Sequence, residues 1–404
     1  MKILHFADIH AQGPTLEEVK KCCCFLLEQA RKENPDLIIF AGDAFESAEV
    51  RLDSAPAKFM FWLFSELACV APIVAITGTP SHDGRAAEVF EHIRAAFPIH
   101  VTADAPEQLL LMDGEFLALS GRVPDEPTDR PDAIISAFPA PSKKWFQSPE
   151  TIQGSEKAIA QELSKLFAHF SNTASDFAAP HILVGHWNVT GAYVSGRQTL
   201  TGVDIEVSRD QMELADADLV CLGHIHLRQQ IGENIFFAGS TQNNTWGEMH
   251  EAGFWIHDVK KGGLAEWSRF IETPTTKMID MSCDATAGQA DDLDMILYTY
   301  NKDEYEGSRV RLTIKAFADE AEKLDVPGIK AFFESVNAQL DLQLIRVPRE
   351  NVRSQRILEL DRLYDKIEEN ARILEETIPP GIREKAERLE AGDTDKLLEE
   401  VRAL

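Results

Sequence analysis

No run of apolar residues in this 404-residue chain approaches the roughly 20 needed to cross a bilayer. The opening Met1-Lys2-Ile3-Leu4-His5 passes straight into a strand-like segment, without the charged region and apolar stretch of a secretory leader. A cytoplasmic protein with no membrane partner is therefore expected. Cysteine is scarce, with six in all. Cys22, Cys23 and Cys24 are consecutive within a helical pattern, where successive side chains point in different directions and cannot converge on one metal. Cys69, Cys221 and Cys283 read as small core residues. Neither a disulfide nor a zinc site is expected of any of the six. Positive charge is also in short supply: 40 Lys and Arg stand against 67 Asp and Glu, a net charge of −27. Proteins that grip nucleic acid alone are usually basic, so the bulk charge opposes strong autonomous DNA binding. Bound divalent cations or a basic partner would offset it locally. The chain has no internal repeat and no low-complexity tract.

Hydrophobic residues make up 44% and charged residues 26%, ordinary for a globular protein of two or three domains. Lys2–Ala7 reads as a buried strand. Thr15-Leu16-Glu17-Glu18 has the form of a capping box, with Thr15 at the N-cap and Glu18 reaching back. The helix it opens runs through Gln29 and ends before Pro35. Asp36–Phe40 is a second strand, Leu52–Val70 an apolar helix, Ile73–Ile76 a third strand and Arg85–Phe97 another helix. Short strands follow between Leu109 and Ala137, then a helix near Ser155–Phe170. Strands His181–Val184 and Asp218–Leu222 each empty into Gly-His. Ile235–Ser240 leads to an antiparallel return at Gly253–Ile256. This βαβ opening specifies an α/β fold with its polar residues just past the carboxyl ends of strands, where open sheets place their sites.

Six residues at those strand ends have metal-ligand chemistry: Asp8, His10, Asp43, His186, His224 and His226. Carboxylate with imidazole suits borderline divalent ions such as manganese, iron or zinc. Histidines two residues from a partner, as His10 is from Asp8 and His226 from His224, can turn inward to two neighbouring ions, with Asp43 placed to bridge them. Two ions about 3.5–4 Å apart bind a phosphate and activate a shared water. Asp-x-His alone is common by chance, and a lone strand-end histidine is more often hydrogen-bonded than metallated. The order Asp-x-His, Gly-Asp, Gly-x-x-x-His-Asp, Gly-His, Gly-His-x-His, each after a strand, is another matter.

That order resembles the calcineurin-like metallophosphoesterase family, and within it the SbcD-type repair nucleases. Phe6-Ala7-Asp8-Ile9-His10, Gly185-His186-Trp187-Asn188-Val189 with Gly191-Ala192, Gly223-His224-Ile225-His226, and Gly239-Ser240-Thr241-Gln242 with Gly247-Glu248 carry the closer match. The resemblance covers roughly the first 270 residues. It implies a four-layer α-β-β-α sandwich holding two divalent ions, Mn2+ being the expected pair. Asp8, His10 and His226 would hold one ion, Asp43 would bridge, and His186 and His224 would hold the second. His82 would serve the leaving group, with Asp83 orienting it. The family usually writes Gly-Asn-His-Asp or Gly-Asn-His-Glu at the third motif, its Asn on the second ion. Here the segment is Gly78-Thr79-Pro80-Ser81-His82-Asp83, so Ser81 or Thr79 supplies an oxygen, or water fills the place.

Three domains are expected: a nuclease domain over 1–270, a small α+β capping domain that faces DNA over 271–348, and a linker with partner-binding helices over 349–404. Strands at Met278–Cys283, Arg309–Ala316 and Leu342–Val347, with helices near Asp292–Tyr300 and Gly328–Gln339, compose the capping module. Ile357, Leu360, Tyr364, Ile367, Ala371 and Leu374 form an apolar stripe at helical spacing. It either packs on its own chain or, as the resemblance implies, docks on the coiled coil of an SbcC-type ABC ATPase. Pro379-Pro380-Gly381 ends that helix, and a last one runs to Leu404. Arg197, Arg228, Lys143 and Lys144 are candidate contacts to a DNA backbone, or plain surface charges. The Leu52–Val70 helix offers a homodimer face or a core face. The favoured activity is a manganese-dependent DNA exonuclease and endonuclease. Two other readings stand beside it, a phosphodiesterase for a small nucleotide or lipid-linked substrate, which suits the acidic surface, and a catalytically silent scaffold.

Overall fold

The structure, a computed structural model, describes residues 1–119, 130–141, 156–194, 205–246, 250–287, 302–348, 357, 359–374 and 377–392. The chain forms two compact units, one of Met1–Ser282, Asp294–Thr313 and Val326–Gln343, the other of Cys283–Leu293, Ile314–Asp325 and Leu344–Leu404.

The first unit opens with β1 (Lys2–Phe6), α1 (Leu16–Glu33), β2 (Leu37–Phe40), α2 (Ala55–Leu67), β3 (Ile73–Ile76) and β4 (Ile99–Thr102). It continues through β5 (Glu107–Met112), β6 (Glu115–Ala118), β7 (Ala133–Phe138), α3 (Glu156–Ala174) and β8 (His181–His186). Next come β9 (Asn188–Val189), β10 (Glu206–Val207), α4 (Arg209–Glu213), β11 (Leu219–Gly223), β12 (Gln229–Ile231) and β13 (Ile235–Phe237). β14 (Gly253–Lys260) and β15 (Gly263–Glu272) close the series. One sheet has the order β15-β14-β1-β2-β3-β4, the other β12-β13-β11-β8-β7-β5-β6.

Strand alternation sorts the side chains into three apolar layers. Leu4, Phe6, Ile38 and Phe40 face α1 and α2. Their neighbours Ile3, Ala7, Leu37 and Ile39 face the other sheet, meeting Ile135, Ile182, Val184 and Leu219. The far face of that second sheet puts Leu183, Val220, Leu222 and Phe237 against Leu163, Phe167 and Phe170 of α3. Helices, sheet, sheet, helices: this is the four-layer sandwich. The parallel strands β1, β2, β8 and β11 are buried on both faces, which explains why each reads as a continuous apolar run.

Some local expectations are corrected. Thr15 makes no side-chain cap, and Glu18 instead accepts hydrogen bonds from Thr276 and ion-pairs with Lys21. A tertiary contact outcompetes the capping box. The Arg85–Phe97 helix is a 3-10 segment, Ala87–His92. Phe90 stacks on Phe64 of α2, ring centroids 4.2 Å apart, and the Phe97 N–H bonds to the Ala68 carbonyl, holding the segment too flat for a regular helix. Cys69 is exposed, because it follows the end of α2, whereas Cys22, Cys23, Cys221 and Cys283 are buried.

Beyond β15 the chain forms β16 (Met278–Asp284), β17 (Arg309–Phe317), α5 (Ala318–Ala321), α6 (Val326–Ser335) and β18 (Gln339–Val347). β16, β17 and β18 make a three-stranded sheet. The helix expected near Asp292–Tyr300 lies outside the described residues. In the second unit, α7 (Leu363–Leu374) and α8 (Ile382–Glu390) lie side by side. Arg383 sits 4.4 Å above the Tyr364 ring, and Glu390 accepts from the Leu363 N–H. The expected stripe is therefore not one continuous helix: Leu360 falls outside α7, which begins where Glu390 holds the Leu363 amide.

Candidate metal centre

The centre is assembled where β1, β2, β8 and β11 end. Its backbone is unusual before any ligand chemistry is considered. Asp8, His10, Asp43 and His224 all have positive φ, at 53°, 49°, 57° and 86°. Non-glycine residues rarely adopt that region, and such strain concentrates at functional sites. Gly42, at φ 92°, permits the close approach around them, since a Cβ there would lie 2.6 Å from His186 Nδ1 and 2.7 Å from the Gly78 Cα.

Asp8 is fully buried and accepts the His224 N–H at 3.0 and 3.1 Å, tying the first loop to the last. His10 Nε2 faces His226 Nε2 at 3.0 Å. Two imidazole nitrogens that close fit a shared proton or a shared cation. Asp43 Oδ2 stands 3.7 Å from His10 Nε2 and 3.2 Å from His186 Nε2, between the two halves of the set. His186 Nδ1 lies 2.7 Å from the Ala41 carbonyl, so Nδ1 carries an N–H and Nε2 is the atom turned inward. The His224 ring is edge-on to His186 with centroids 5.2 Å apart. Ligand-capable atoms of Asp8, His10 and His226 converge within 4.8 Å of one another, as do those of Asp8, Asp43 and His186.

The electrostatics follow from packing carboxylates and imidazoles together out of water. Burial pushes the Asp43 carboxyl up, but the charge and hydrogen bond of His186 and the charge of His10 outweigh it, and the shift is downward. For His10, burial works downward, while the Glu46 hydrogen bond and the Asp43 and Asp8 charges lift the imidazole to about 9. His186 rises to about 9 against burial, through Asp43 and then Asp8. His224 falls to about 3, from burial and then the His186 charge. Burial raises Asp8. A donor set this buried, mixing carboxylate and imidazole, fits divalent cations of the manganese–zinc group.

Two sequence-derived roles change. Ser81 is exposed and its carbonyl accepts the Ala48 N–H. The hydroxyl that reaches the centre is that of Thr79, 3.3 Å from both Asp43 Oδ2 and His186 Nε2. The two extra residues in the Gly78–His82 turn carry Ser81 outward. Asp83 does not orient His82 either. Its buried carboxylate accepts the N–H groups of Asp43, Ala44, Phe45 and Gly78, at 2.9, 2.7, 3.2 and 2.8 Å. Burial, then the Asp43 charge, pushes that carboxyl up to about 6. Asp83 is thus a positioning residue for the Asp43 loop. His82 is oriented by the Glu46 carbonyl, 2.8 Å from its Nδ1, and sits T-shaped on the His10 ring at 4.6 Å.

Glu46 was missed by sequence reasoning. Its carboxylate lies 3.1 Å from His10 Nδ1, and it joins His10 and His82 in a third cluster. Its place three residues after Asp43, in the same strand-end loop, is the signal that could have found it. The Gly239–Gln242 stretch acts as a floor: Ser240 bridges to Ala7, and the Gln242 amide donates to the Ile9 carbonyl. Arg228 pairs with Glu251, sits 4.6 Å above the Phe270 ring, and lines a cavity of about 780 Å3 with His250, Glu272 and Lys277. Arg197, Lys143, Lys144 and Gly247-Glu248 lie outside the described residues.

A profile of calcineurin-like phosphoesterases matches residues 1–228. The chain belongs to that family. The phosphoesterase is 24% identical over 282 residues, 65% of its length and 67% of the other's, to the SbcD component of the nuclease SbcCD of Staphylococcus epidermidis. Among solved structures it matches GAP50, the anchor in the inner membrane complex of Plasmodium, with a TM-score of 0.40 and 14% identity over 68% of this chain and 89% of that one. Family membership makes this phosphoesterase a metal-dependent hydrolase of the calcineurin-like type. Among the described residues, no helix is long and apolar enough to cross a membrane.

Proposed function

We propose that this phosphoesterase is a manganese-dependent DNA exonuclease and endonuclease, the nuclease component of a two-part complex with an SbcC-type ABC ATPase. The observation that carries the reading is the position of Asp43 Oδ2 between His10 and His186, with Asp8 common to both flanking clusters. Asp8, His10 and His226 would hold one ion, His186 and His224 the other, and Asp43 would bridge, with Thr79 beside it. When bound, the two ions supply Lewis acidity and a water that is nucleophilic at neutral pH.

The chain's own residues supply the rest. His82, half-buried at the rim, presents Nε2 because Nδ1 is engaged with the Glu46 carbonyl. It would donate to the departing sugar oxygen. Asp83 holds the Asp43–Phe45 and Gly78 amides, so the bridging carboxylate does not reorganise as charge develops.

DNA as substrate is supported by the relative's name, a component of the nuclease SbcCD, and by an aromatic–basic cluster. Arg309 and Arg311 stand 5.5 and 4.5 Å from the Trp246 ring, an arrangement on which a base can stack. We assign residues 1–270 to the nuclease domain, 271–348 to the DNA-facing cap and 349–404 to ATPase docking, in a homodimeric, cytoplasmic protein. The test is hydrolysis of linear duplex DNA and of a chromogenic phosphodiester in parallel with Mn2+, with and without the ATPase. End-dependent DNA loss that vanishes in His82→Ala is expected. Turnover of the small diester with DNA untouched, even with the ATPase present, would sink the nuclease reading in favour of a small-substrate phosphodiesterase.

A further inference from the structure

Three side chains apart from the phosphoesterase centre meet in the layer between the two sheets: His5 on β1, Cys221 on β11 and His257 on β14. Each has 0% of its surface exposed. One ligand-capable atom from each lies within 4.8 Å of the others. Strand alternation sends them there. Ile3 and Ala7 flank His5 on the same face, Leu219 flanks Cys221, and Trp255 and Val259 flank His257.

Apolar neighbours would suit this layer better than imidazoles, and the imidazoles are poorly satisfied. Neither ring nitrogen of His5 makes a hydrogen bond, and neither does His257 Nε2. Buried polar atoms are nearly always bonded, so three such atoms on two neighbouring rings, centroids 5.7 Å apart, need an explanation. His257 Nδ1 is engaged, 2.8 Å from Ser268 Oγ, which orients the ring with Nε2 inward. Such an outer partner is the usual accompaniment of a metal-bound histidine. Both imidazoles are neutral: burial lowers His5 to about 3 and holds His257 well below the usual imidazole range.

We propose that His5, Cys221 and His257 form a closed structural site for one soft d10 metal ion, Zn2+ or Cu+. One thiolate and two imidazoles are ligands these ions share. Metal–nitrogen and metal–sulfur bonds of ordinary length put ligand atoms about 3.3–3.8 Å apart, inside the observed spread. The imidazoles lend lone pairs, Cys221 gives up its thiol proton to solvent as the site forms, and nothing is oxidised or reduced. With one thiolate, Cu+ leaves the site neutral and Zn2+ leaves it positive. The Phe236 and Trp255 rings, 4.7 and 5.9 Å from His257, favour the neutral complex. No carboxylate belongs to the cluster, so the site is structural. It would join the two sheets through the strands that end at Asp8 and His224.

The full chain is produced in medium supplemented with Co2+, a spectroscopic stand-in for zinc, and separately with copper under reducing conditions. The phosphoesterase centre offers only nitrogen and oxygen, so sulfur-to-metal charge-transfer absorption reports on a cysteine site alone. About one equivalent of sulfur-ligated metal is expected in one preparation, lost in Cys221→Ser and kept in His186→Ala. A band with cobalt assigns Zn2+, and a band with copper assigns Cu+. X-ray absorption on the wild-type chain makes the test independent of how the variants fold: a sulfur scatterer at about 2.3 Å is expected. Absence of sulfur-ligated metal from both wild-type preparations overturns the proposal, as does a band that survives Cys221→Ser. Neither result touches the phosphoesterase reading, which uses none of these residues.

Discussion

His82 and Asp43 separate chemistry from metal binding. His82→Ala should retain full metal content while the rate on a chromogenic phosphodiester falls about 10²–10⁴-fold, the usual scale for one general acid. Wild-type turnover in that variant would remove His82 from the mechanism. Asp43→Ala should cost both ions, read as metal per chain. The pH dependence of loading follows from the metal-free imidazoles. His10 and His186 are lifted to about 9, so at pH 7 each carries a proton that a cation must displace. Affinity should therefore rise from pH 6 towards 9, with proton release visible as a buffer-dependent heat in titration calorimetry. Affinity independent of pH over that range would contradict the assignment of these two ligands. The candidate ligands were legible in the sequence because Asp43, His186 and His224 each follow a glycine at the end of an apolar strand, and Asp8, His10 and His226 lie within a few residues of a strand end. Glu46 was not, since a glutamate three residues past Asp43 reads as an ordinary surface charge, and the Thr79-for-Ser81 exchange was not, since a turn two residues longer re-aims its side chains.

At the scale of elements, the Asp43 loop is held by Asp83 as well as by the loop after β1, whose His10 and Ala11 N–H groups donate to the Asp43 and Ala44 carbonyls. Asp83→Asn turns one acceptor into a donor against backbone N–H groups, and each charge-assisted bond lost costs about 1.5–3 kcal/mol. The variant should melt markedly lower and bind metal poorly, whereas unchanged thermal stability would show the four bonds to be dispensable. The strands and the βαβ order were readable because burial on both faces makes the apolar runs continuous. The failures lie where a distant contact overrides a local rule. Thr276 takes Glu18 from its capping box, and Phe90 flattens a helical sequence onto Phe64. His5 and His257 escaped notice because a histidine inside a strand pattern looks like any alternating residue until the partner sheet is in place.

For the whole molecule, the net charge of −27 and the Arg309–Trp246–Arg311 cluster pull in opposite directions. The chain alone should hold duplex DNA weakly at physiological salt. Trp246→Ala should reduce DNA degradation while sparing the small diester, and equal loss on both substrates would make Trp246 structural. Ending the chain before Asn351 should abolish ATPase binding in a pull-down yet preserve diester turnover. Full-strength binding by the shortened chain would return α7 and α8 to a purely internal role. The homodimer reading rests on α2, whose Trp62 is 43% exposed beside Phe59.

The left-handed backbone at Asp8, His10, Asp43 and His224 has a consequence for evolution. A non-glycine residue in that region carries about 1–2 kcal/mol of conformational strain, which glycine would relieve, least at the two aspartates. Stability and chemistry therefore pull these four positions apart. A lineage released from selection for hydrolysis could drift to glycine there and keep, or even improve, its fold. Silent descendants of such an enzyme would be well-folded proteins, betrayed by glycines at the ends of the right strands.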